Sequence, residues 1–226
     1  MSNLGWWVEK PRRVVVVIDN PSWGMAFGEE IVRLLNNNGD CASLVGNQNA
    51  VPEGDVAFYL NCLSITTPEI LARNRRNLVV HASDLPKGRG FSPLTWMILE
   101  GVKKIPVCLI ECSEPVDSGD IIYKDWITFE GHELIGEMQT ALGAKTVDLC
   151  MRFMSEPRPP EGSPQVGEPT FFARRRPKDS ELDPEKTIAA QFNHLRTVDN
   201  EAYPAFFRYK SQTYVLKIEK VKEGTE

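Results

Sequence analysis

The residues best suited to chemistry lie in two short stretches, NLVVHASDLPKGRGFSP at residues 77–93 and DSGD at residues 117–120. In the first, the short apolar strand 78–80 runs into His81 and then into a Gly- and Pro-rich loop. Open α/β sheets usually bind ligands beyond the carboxyl ends of their strands, so His81 stands where a catalytic group is expected. A neutral imidazole beside a carboxylate is a competent general base near neutral pH. The acids that two loops could bring to it are Asp84, Asp117 and Asp120.

The same residues also suit a structural role. A histidine at a strand end can be satisfied by a backbone carbonyl, and aspartates are common in turns. The pattern alone leaves the catalytic and the structural interpretation of His81 equally open.

Composition narrows the class of protein. The 226 residues, 42% hydrophobic and 25% charged, predict one good core with room for a small second module. The net charge of -5 argues against a general nucleic-acid binder, because no basic excess displaces counterions. We expect no membrane association and a cytoplasmic location, since neither a membrane span nor a signal peptide is evident. The five cysteines lack a CxxC pair and the three histidines lie far apart, which predicts free thiols and no metal site.

The order of the predicted elements indicates an α/β fold. VVVVI at residues 14–18 is typical of a strand buried on both faces, and the apolar spacing from Gly24 predicts a helix that ends at Asn38-Gly39. No GxGxxG follows the first strand, which argues against a dinucleotide cofactor. Further strands are predicted at 41–45, 56–60, 78–80, 105–110 and 121–127, the last two antiparallel, and helices from Thr67-Pro68, at 93–100 and at 133–154.

The chain after residue 154 has a different character. Residues 155–170 are rich in Pro, Gly and Ser and predict a linker that crosses the surface. A helix near 185–196 and a hairpin of strands 203–209 and 213–218 are predicted beyond it. Because too few residues remain for an independent core, we expect residues 171–226 to dock on a domain formed by residues 1–154. The charged end, EKVKEGTE, is expected to be frayed.

Two motifs carry a resemblance to a known family. HASDLPKGRG at residues 81–90, followed by Pro93 and by ILEG at 98–101, precedes DSGDI at 117–121. In this order and spacing they resemble the HxSxLPxxRGxxP loop and the DxGD turn of the formyltransferases that use N10-formyltetrahydrofolate. The resemblance spans most of residues 14–154. It implies an α/β, Rossmann-like domain with a mixed, mostly parallel sheet, to which this chain adds a small C-terminal helix-hairpin extension.

The resemblance also implies roles for individual residues. The pterin would lie in a cleft between the loop after His81 and the loop that leads to Asp117, with no metal required. His81 would take a proton from an attacking amine or stabilise the tetrahedral oxyanion, and Asp117 would orient His81. The residues expected to bind the cosubstrate N10-formyltetrahydrofolate are Leu85, Arg89, Gly90, Ile110, Glu111 and Asp120.

One position departs from the family pattern. The family keeps an Asn two residues before the catalytic His, where this chain has Val79. Asn77 lies on the same strand face as His81, but four residues of strand separate the two by roughly 13 Å. Asn61, at the exit of the preceding strand, is better placed if the two strands are neighbours. We therefore predict that Asn61, or a backbone N–H, supplies the missing donor; the alternative is that Asn61 only caps a turn.

Residues 171–226, the tail of the chain, narrow the choice of acceptor substrate. QFNHLRTVDNEAYPAFF at residues 191–207 resembles the short sugar N-formyltransferases of bacterial surface-glycan pathways, especially those of the pseudaminic-acid type. The expected acceptor is a nucleotide-linked amino-dideoxy sugar, with UDP as the expected nucleotide, and the short tail with nearly balanced charge argues against tRNA. A formyltetrahydrofolate hydrolase and a non-catalytic folate-binding protein stay open as alternatives. Exposed-looking aromatic residues in the tail also leave a homodimer possible: Phe206, Phe207 and Tyr209.

Overall fold

The computed structural model describes residues 4–221, which form ten strands and six α-helices. The strands are β1 (Arg13–Val17), β2 (Cys41–Val45), β3 (Gly54–Tyr59), β4 (Asn74–His81), β5 (Arg89–Gly90), β6 (Lys104–Glu111), β7 (Ile121–Thr128), β8 (Phe171–Phe172), β9 (Ala205–Tyr209) and β10 (Gln212–Leu216). The helices are α1 (Gly5–Val8), α2 (Met25–Asn37), α3 (Pro68–Leu71), α4 (Pro93–Leu99), α5 (Ile135–Ser155) and α6 (Phe192–Leu195). Among the residues described, no helix has the length and apolar character needed to cross a membrane.

The central sheet has six strands in the order β2-β1-β3-β4-β6-β7. The first four run parallel, and β6 and β7 are antiparallel to their neighbours. The predicted mixed, mostly parallel sheet of a Rossmann-like fold is therefore confirmed, as is the antiparallel pairing of the last two strands. Because β3 and β4 are parallel neighbours, the chain leaves both of them at the same edge of the sheet.

The run of valines in β1 is explained by burial on both faces of the sheet. Val14 and Val16 belong to the larger core, which includes side chains of α2 and α5, whereas Val15 and Val17 pack with Tyr59 on the opposite face. Helices α2 and α5 approach closely at Gly143, where an added Cβ would lie 2.2 Å from the ring of Phe27. Side chains of both faces line a cavity at the edge of the sheet, among them Tyr59 from one core and Leu60 from the other.

Strand β4 is longer than the apolar run at residues 78–80 predicts. It begins at Asn74 because the polar side chains of its first half find partners within the sheet layer. The side-chain amide of Asn77 donates to the carbonyls of Leu71 and Asn74, and Arg76 pairs with Glu111 of β6. These bonds let polar residues extend the strand, although Oδ1 of Asn74 at its start is buried and has no hydrogen-bond partner among the described residues.

Two predicted helices begin later than expected. The carboxylate of Glu133 accepts the backbone N–H groups of Glu130 and Gly131, so α5 starts at Ile135 rather than at residue 133. In the tail, the side chain of Gln191 exchanges hydrogen bonds with the backbone of Asp183. These side-chain bonds hold residues 183–191 in turns, and the predicted helix at 185–196 is reduced to a 3₁₀ turn followed by α6.

The tail contains the predicted hairpin and a small core of its own. Strands β9 and β10 pair antiparallel about Lys210 and Ser211, which both have positive φ as a two-residue hairpin turn requires. The buried Arg196 reaches the start of α5, with its Nη1 3.5 Å from Oε2 of Glu133. The division of the chain into domains at residue 154 stays a prediction, and most of the end expected to be frayed, residues 222–226, lies outside the described residues. The small core is formed by Leu182, Leu195, Val198 and Ala205.

Candidate active site

A cavity of about 560 Å³ lies over the edge of the sheet where β3 and β4 end. Its volume is within the range of small-molecule sites in proteins. His81, at the end of β4, and Asn61, just after β3, both line it. The loops that follow β4 and β6 form a further part of its wall.

The ring of His81 is buried and held in one orientation. Its Nε2 lies 2.8 Å from the carbonyl oxygen of Gly88. A carbonyl only accepts hydrogen bonds, so Nε2 carries a proton and Nδ1 is the nitrogen that can take up another. Nδ1 lies 3.6 Å from Oδ1 of Asp117. The ring can therefore accept a proton at Nδ1 and become an imidazolium beside a carboxylate.

The DSGD turn places Asp117 by close backbone contacts. Asp117 has a left-handed backbone with φ of 58°, and its Oδ2 accepts the N–H of Gly90 at 2.9 Å. A Cβ added at Gly119 would lie 2.0 Å from the carbonyl oxygen of Glu111, so only glycine fits there. The motif thus supplies a carboxylate and the glycine that lets its turn fold back on β6.

The loop after His81 is held by a short parallel pair of strands, β5 with β8. A Cβ added at Gly88 would lie 2.6 Å from the ring of Phe172. At Gly90, where φ is 101°, a Cβ would lie 2.5 Å from the carbonyl oxygen of Phe172. Both glycines of the KGRG sequence are therefore required for the approach of β8.

The structure brings most of the predicted site residues together. Of the three acids considered as partners of His81, only Asp117 lies against its ring; Asp84 is exposed and pairs with Lys124. Leu85 and Asp120 do not line the cavity. Leu85 packs with Cys108 and Ile110, and Asp120 is exposed. The roles of all these residues stay predictions. Those that line the cavity are His81, Asp117, Asn61, Arg89, Gly90, Ile110 and Glu111.

Val79 lines the cavity at the position where the family keeps an amide. Asn77 does not replace it, because both hydrogens of its amide go to backbone carbonyls. Asn61 is better placed: Tyr59 pairs with Val79 in the register, so the chain leaves β3 and β4 at the same edge, and Asn61 and His81 line the same cavity. Its Nδ2 donates to Oγ of Ser22 at 2.6 Å, which leaves the second amide hydrogen for another acceptor.

Burial raises the pKa values of several groups that line the cavity. It raises the pKa of the Cys62 thiol to about 11 and also raises the pKa values of Tyr59 and Cys112. Burial likewise raises the pKa of Glu111, although its partner Arg76 opposes that change. Because a protonated thiol is a poor nucleophile, this wall does not favour cysteine chemistry.

Two residues that hold the loops of the site come from the stretch predicted as a linker. The Nε2 of Gln165 donates to the carbonyls of Asp117 and Gly119, each at 2.9 Å, and its Oε1 accepts from Arg89 at 2.7 Å. Oγ1 of Thr170 accepts the N–H of Gly88 at 2.9 Å. The composition of residues 155–170 predicted only a linker. Isolated polar residues among Pro and Gly have no periodic pattern, so no signal in the sequence pointed to Gln165 or Thr170.

Comparison with known proteins finds formyltransferases both by sequence and by fold. Methionyl-tRNA formyltransferase from Streptococcus gordonii is 29% identical over 131 residues, which are 57% of this chain and 42% of that relative. The chain thus spans less than half the length of the curated relatives it matches. Among solved structures, methionyl-tRNA formyltransferase from Clostridium thermocellum has a TM-score of 0.80 at 23% identity and covers 95% of each chain. A sugar N-formyltransferase from a Shewanella species has a TM-score of 0.65 at 14% identity, over 94% of this chain and 100% of that one.

At these identities the two structural likenesses show the fold alone. The family itself is shown by sequence, because the model of the formyl transferase family matches residues 13–151, more than half of the chain. This protein belongs to the formyl transferase family.

Proposed function

We propose that this protein is an N-formyltransferase that moves the formyl group of N10-formyltetrahydrofolate to the amine of a nucleotide-linked amino-dideoxy sugar. The nucleotide in this proposal is UDP, and the pathway is of the pseudaminic-acid type. The observation that carries the proposal is the pair of His81 and Asp117 on the cavity of a formyl transferase fold. Formyl-tetrahydrofolate is the cosubstrate of this family.

His81 and Asp117 supply the proton transfers. As the acceptor amine attacks the formyl carbon, Nδ1 of His81 takes the proton that the amine loses, and the carboxylate of Asp117 stabilises the resulting imidazolium. The bond from the formyl carbon to N10 of the folate then breaks, and the imidazolium returns its proton to N10. Gly88 keeps the ring oriented throughout, through its bond to Nε2.

Asn61 supplies the donor that Val79 lacks. In this mechanism the free hydrogen of its side-chain amide meets the formyl oxygen as that oxygen gains negative charge. The left-handed backbone of Asn61, with φ of 52°, and its bond to Ser22 hold the amide in one position on the wall of the cavity that His81 also lines.

The loop side of the cavity suits the folate. Arg89, Gly90, Ile110 and Glu111 line it, and Nε of Arg89 is buried with no hydrogen-bond partner in the part of the chain that the structure describes. A buried cationic donor without a partner is suited to an acceptor on a bound ligand. In this proposal Leu85, together with the exposed Asp120, acts only through the loops that the two residues shape.

The opposite side of the cavity supports an acceptor with apolar surface. Trp23 and Phe27, which touch edge to face, contribute aromatic surface, and Ile135 and Leu142 of α5 add aliphatic surface. Gln139 provides a polar group among them. A deoxy sugar matches this mixture, because its methyl or methylene group packs on apolar surface while its hydroxyls take the few polar partners.

Location and assembly stay predictions within this proposal. In the tail, Phe207 stacks on Tyr214 inside the hairpin, with ring centroids 5.3 Å apart. Tyr209 keeps an exposed ring. A homodimer through these aromatic residues and a cytoplasmic location both need to be measured.

One assay separates the candidate functions. The protein is incubated with N10-formyltetrahydrofolate alone and with a panel of UDP-linked amino-dideoxy sugars and methionyl-tRNA, while deformylated folate and the mass of each acceptor are followed. Formylation of a sugar together with folate deformylation supports the proposal. Deformylation without any acceptor means a hydrolase, and tight binding without deformylation means a folate-binding protein. If only methionyl-tRNA is formylated, the acceptor substrate is tRNA and not a sugar.

Substitution of Asn61 tests the oxyanion donor. Asn61→Gly tolerates the left-handed backbone and removes the amide, so we expect turnover to fall on the order of a hundredfold. Asn61→Asp keeps the shape and replaces the donor by an acceptor, and should be at least as slow. Ser22→Ala keeps the amide and removes only the bond that holds it, so its loss of turnover should be smaller. Turnover near that of the wild type in both Asn61 variants would assign the donor to a backbone N–H instead.

A further inference from the structure

The strap, which we define as residues 161–172, bridges the two loops of the site. Ser163 and Ile121 exchange two backbone hydrogen bonds, which fix the strap just after the DSGD turn. Thr170 accepts the backbone N–H of Arg89 at 2.9 Å, and β8 continues this contact along β5. The strap therefore spans from the turn that carries Asp117 to the loop that carries Arg89.

Gln165 is the only strap side chain that bonds to both loops at once, within residues 4–221. Its amide nitrogen donates to the carbonyls of Asp117 and Gly119, and its amide oxygen accepts from the guanidinium of Arg89. In the described part of the chain, neither carbonyl receives another hydrogen bond, and the guanidinium of Arg89 makes no other. Gln165 thus ties the turn and the guanidinium to each other, in addition to the bond between Gly90 and Asp117 that also holds the turn.

Gln165 does not itself line the cavity, so it acts through the groups that it holds. We propose that Gln165 is a positioning residue for formyl transfer, which sets Asp117 against His81 and Arg89 on the folate side of the cavity. This inference rests on the proposed function. A glutamine is suited to the role because one planar amide offers donors to two carbonyls and an acceptor to a guanidinium.

Three substitutions separate the two halves of this role. Gln165→Glu keeps an acceptor for Arg89 and loses both donors to the turn. Gln165→Met has a similar length and loses all three bonds. Val166→Ala, at the neighbouring position where the side chain is 88% exposed, is the matched control.

The expected kinetic result is a split between kcat and KM. For Gln165→Glu we expect kcat to fall by about tenfold to a hundredfold with an unchanged KM for N10-formyltetrahydrofolate, because only the turn is displaced. Gln165→Met should lower kcat and also raise this KM, because Arg89 is released as well. Val166→Ala should change neither constant. Equal losses of kcat in all three variants, in proportion to lowered melting temperatures, would overturn the inference.

A readout without turnover tests the same geometry. The N–H of Gly90 donates to Oδ2 of Asp117 at 2.9 Å, so its NMR resonance and exchange rate report the position of the turn. In both Gln165 variants we expect this amide proton to shift upfield and to exchange faster, while Val166→Ala leaves it unchanged. An unmoved Gly90 resonance would overturn the role of Gln165. A wild-type protein without formyl transfer would instead overturn the proposed function.

Discussion

Two segments follow α5, and they differ in how they relate to the site. The strap has no regular pattern and makes only two residues of strand, yet it bonds to the loops that carry His81 and Asp117. The tail, residues 177–221, has a helix and a hairpin around its own small core. It meets the start of α5 through the buried Arg196 and the exposed Lys220.

The difference shows what a sequence pattern reports. Periodic hydrophobicity marks a segment that buries side chains of its own, and the tail satisfies that pattern locally. The strap is held by single polar side chains whose partners are backbone groups of remote loops, which no local pattern encodes. We therefore expect changes at the contacts of the strap to affect turnover, and changes at the contacts of the tail to affect stability.

The largest effect is expected at Gly119, which lets the DSGD turn approach β6 beneath the strap. Gly119→Ala places a methyl group 2.0 Å from the carbonyl of Glu111, so the turn must move. We expect kcat to fall on the order of a hundredfold and the free energy of unfolding to fall by about 1–3 kcal/mol. Steady-state kinetics and urea denaturation measure the two quantities.

Gly136 provides the control for this substitution. A Cβ added there meets nothing within 4 Å, because Gly136 lies on the exposed side of the first turn of α5. Gly136→Ala should leave kcat unchanged and raise the free energy of unfolding by up to about 1 kcal/mol. Similar losses of kcat in the two alanine variants would show that the DSGD turn does not need this close contact.

A smaller effect, on stability and not on turnover, is expected at Arg196. Arg196→Met removes the contact of the tail with Glu133 while keeping a buried apolar side chain. We expect the free energy of unfolding to fall by about 2 kcal/mol and kcat to stay near the wild-type value. Arg208→Met, at a pair with Glu181 in which the arginine side chain is 71% exposed, is the control and should change neither. Loss of kcat in Arg196→Met would mean that the tail also positions the site.

The smallest effect is a dependence of stability on acid pH at Glu133 itself. Burial opposes ionisation of Glu133, but the backbone amides of Glu130 and Gly131 outweigh it and lower the pKa of this carboxyl to about 2. A carboxyl with a lowered pKa stabilises the folded state above its ordinary value of 4.5, and this stability is lost as the pH falls toward about 2. Glu133→Gln should therefore flatten the pH dependence of the urea midpoint in this window. An unchanged slope would mean that the backbone amides of Glu130 and Gly131 do not stabilise the ionised form of Glu133.

The fold was largely predictable because its strongest signals are local. The valines of β1, the spacing of apolar residues in α2 and the hairpin about Lys210-Ser211 each predict an element that the structure contains. The limits of β4 and of the tail helix were wrong because side-chain hydrogen bonds of Asn77 and Gln191 decide them.

The site was predictable only in part. The motifs pointed to His81 and Asp117, which the structure places together, although their roles stay predictions. The tautomer of His81 is fixed by the carbonyl of Gly88, and the turn is held by Gln165. Neither contact is visible in sequence, because backbone carbonyls carry no residue-specific signal.

The central claim is that Nδ1 of His81 accepts the proton of an attacking sugar amine. The most direct test compares the wild type with His81→Gln, which keeps a donor for the carbonyl of Gly88 but has no group that accepts a proton at neutral pH. Both proteins are incubated with N10-formyltetrahydrofolate and a UDP-linked amino-dideoxy sugar, and the mass of the sugar is measured. The proposed function predicts one added formyl group with the wild type and none with His81→Gln, although both bind tetrahydrofolate. Formylation at equal rates by the two proteins would contradict it.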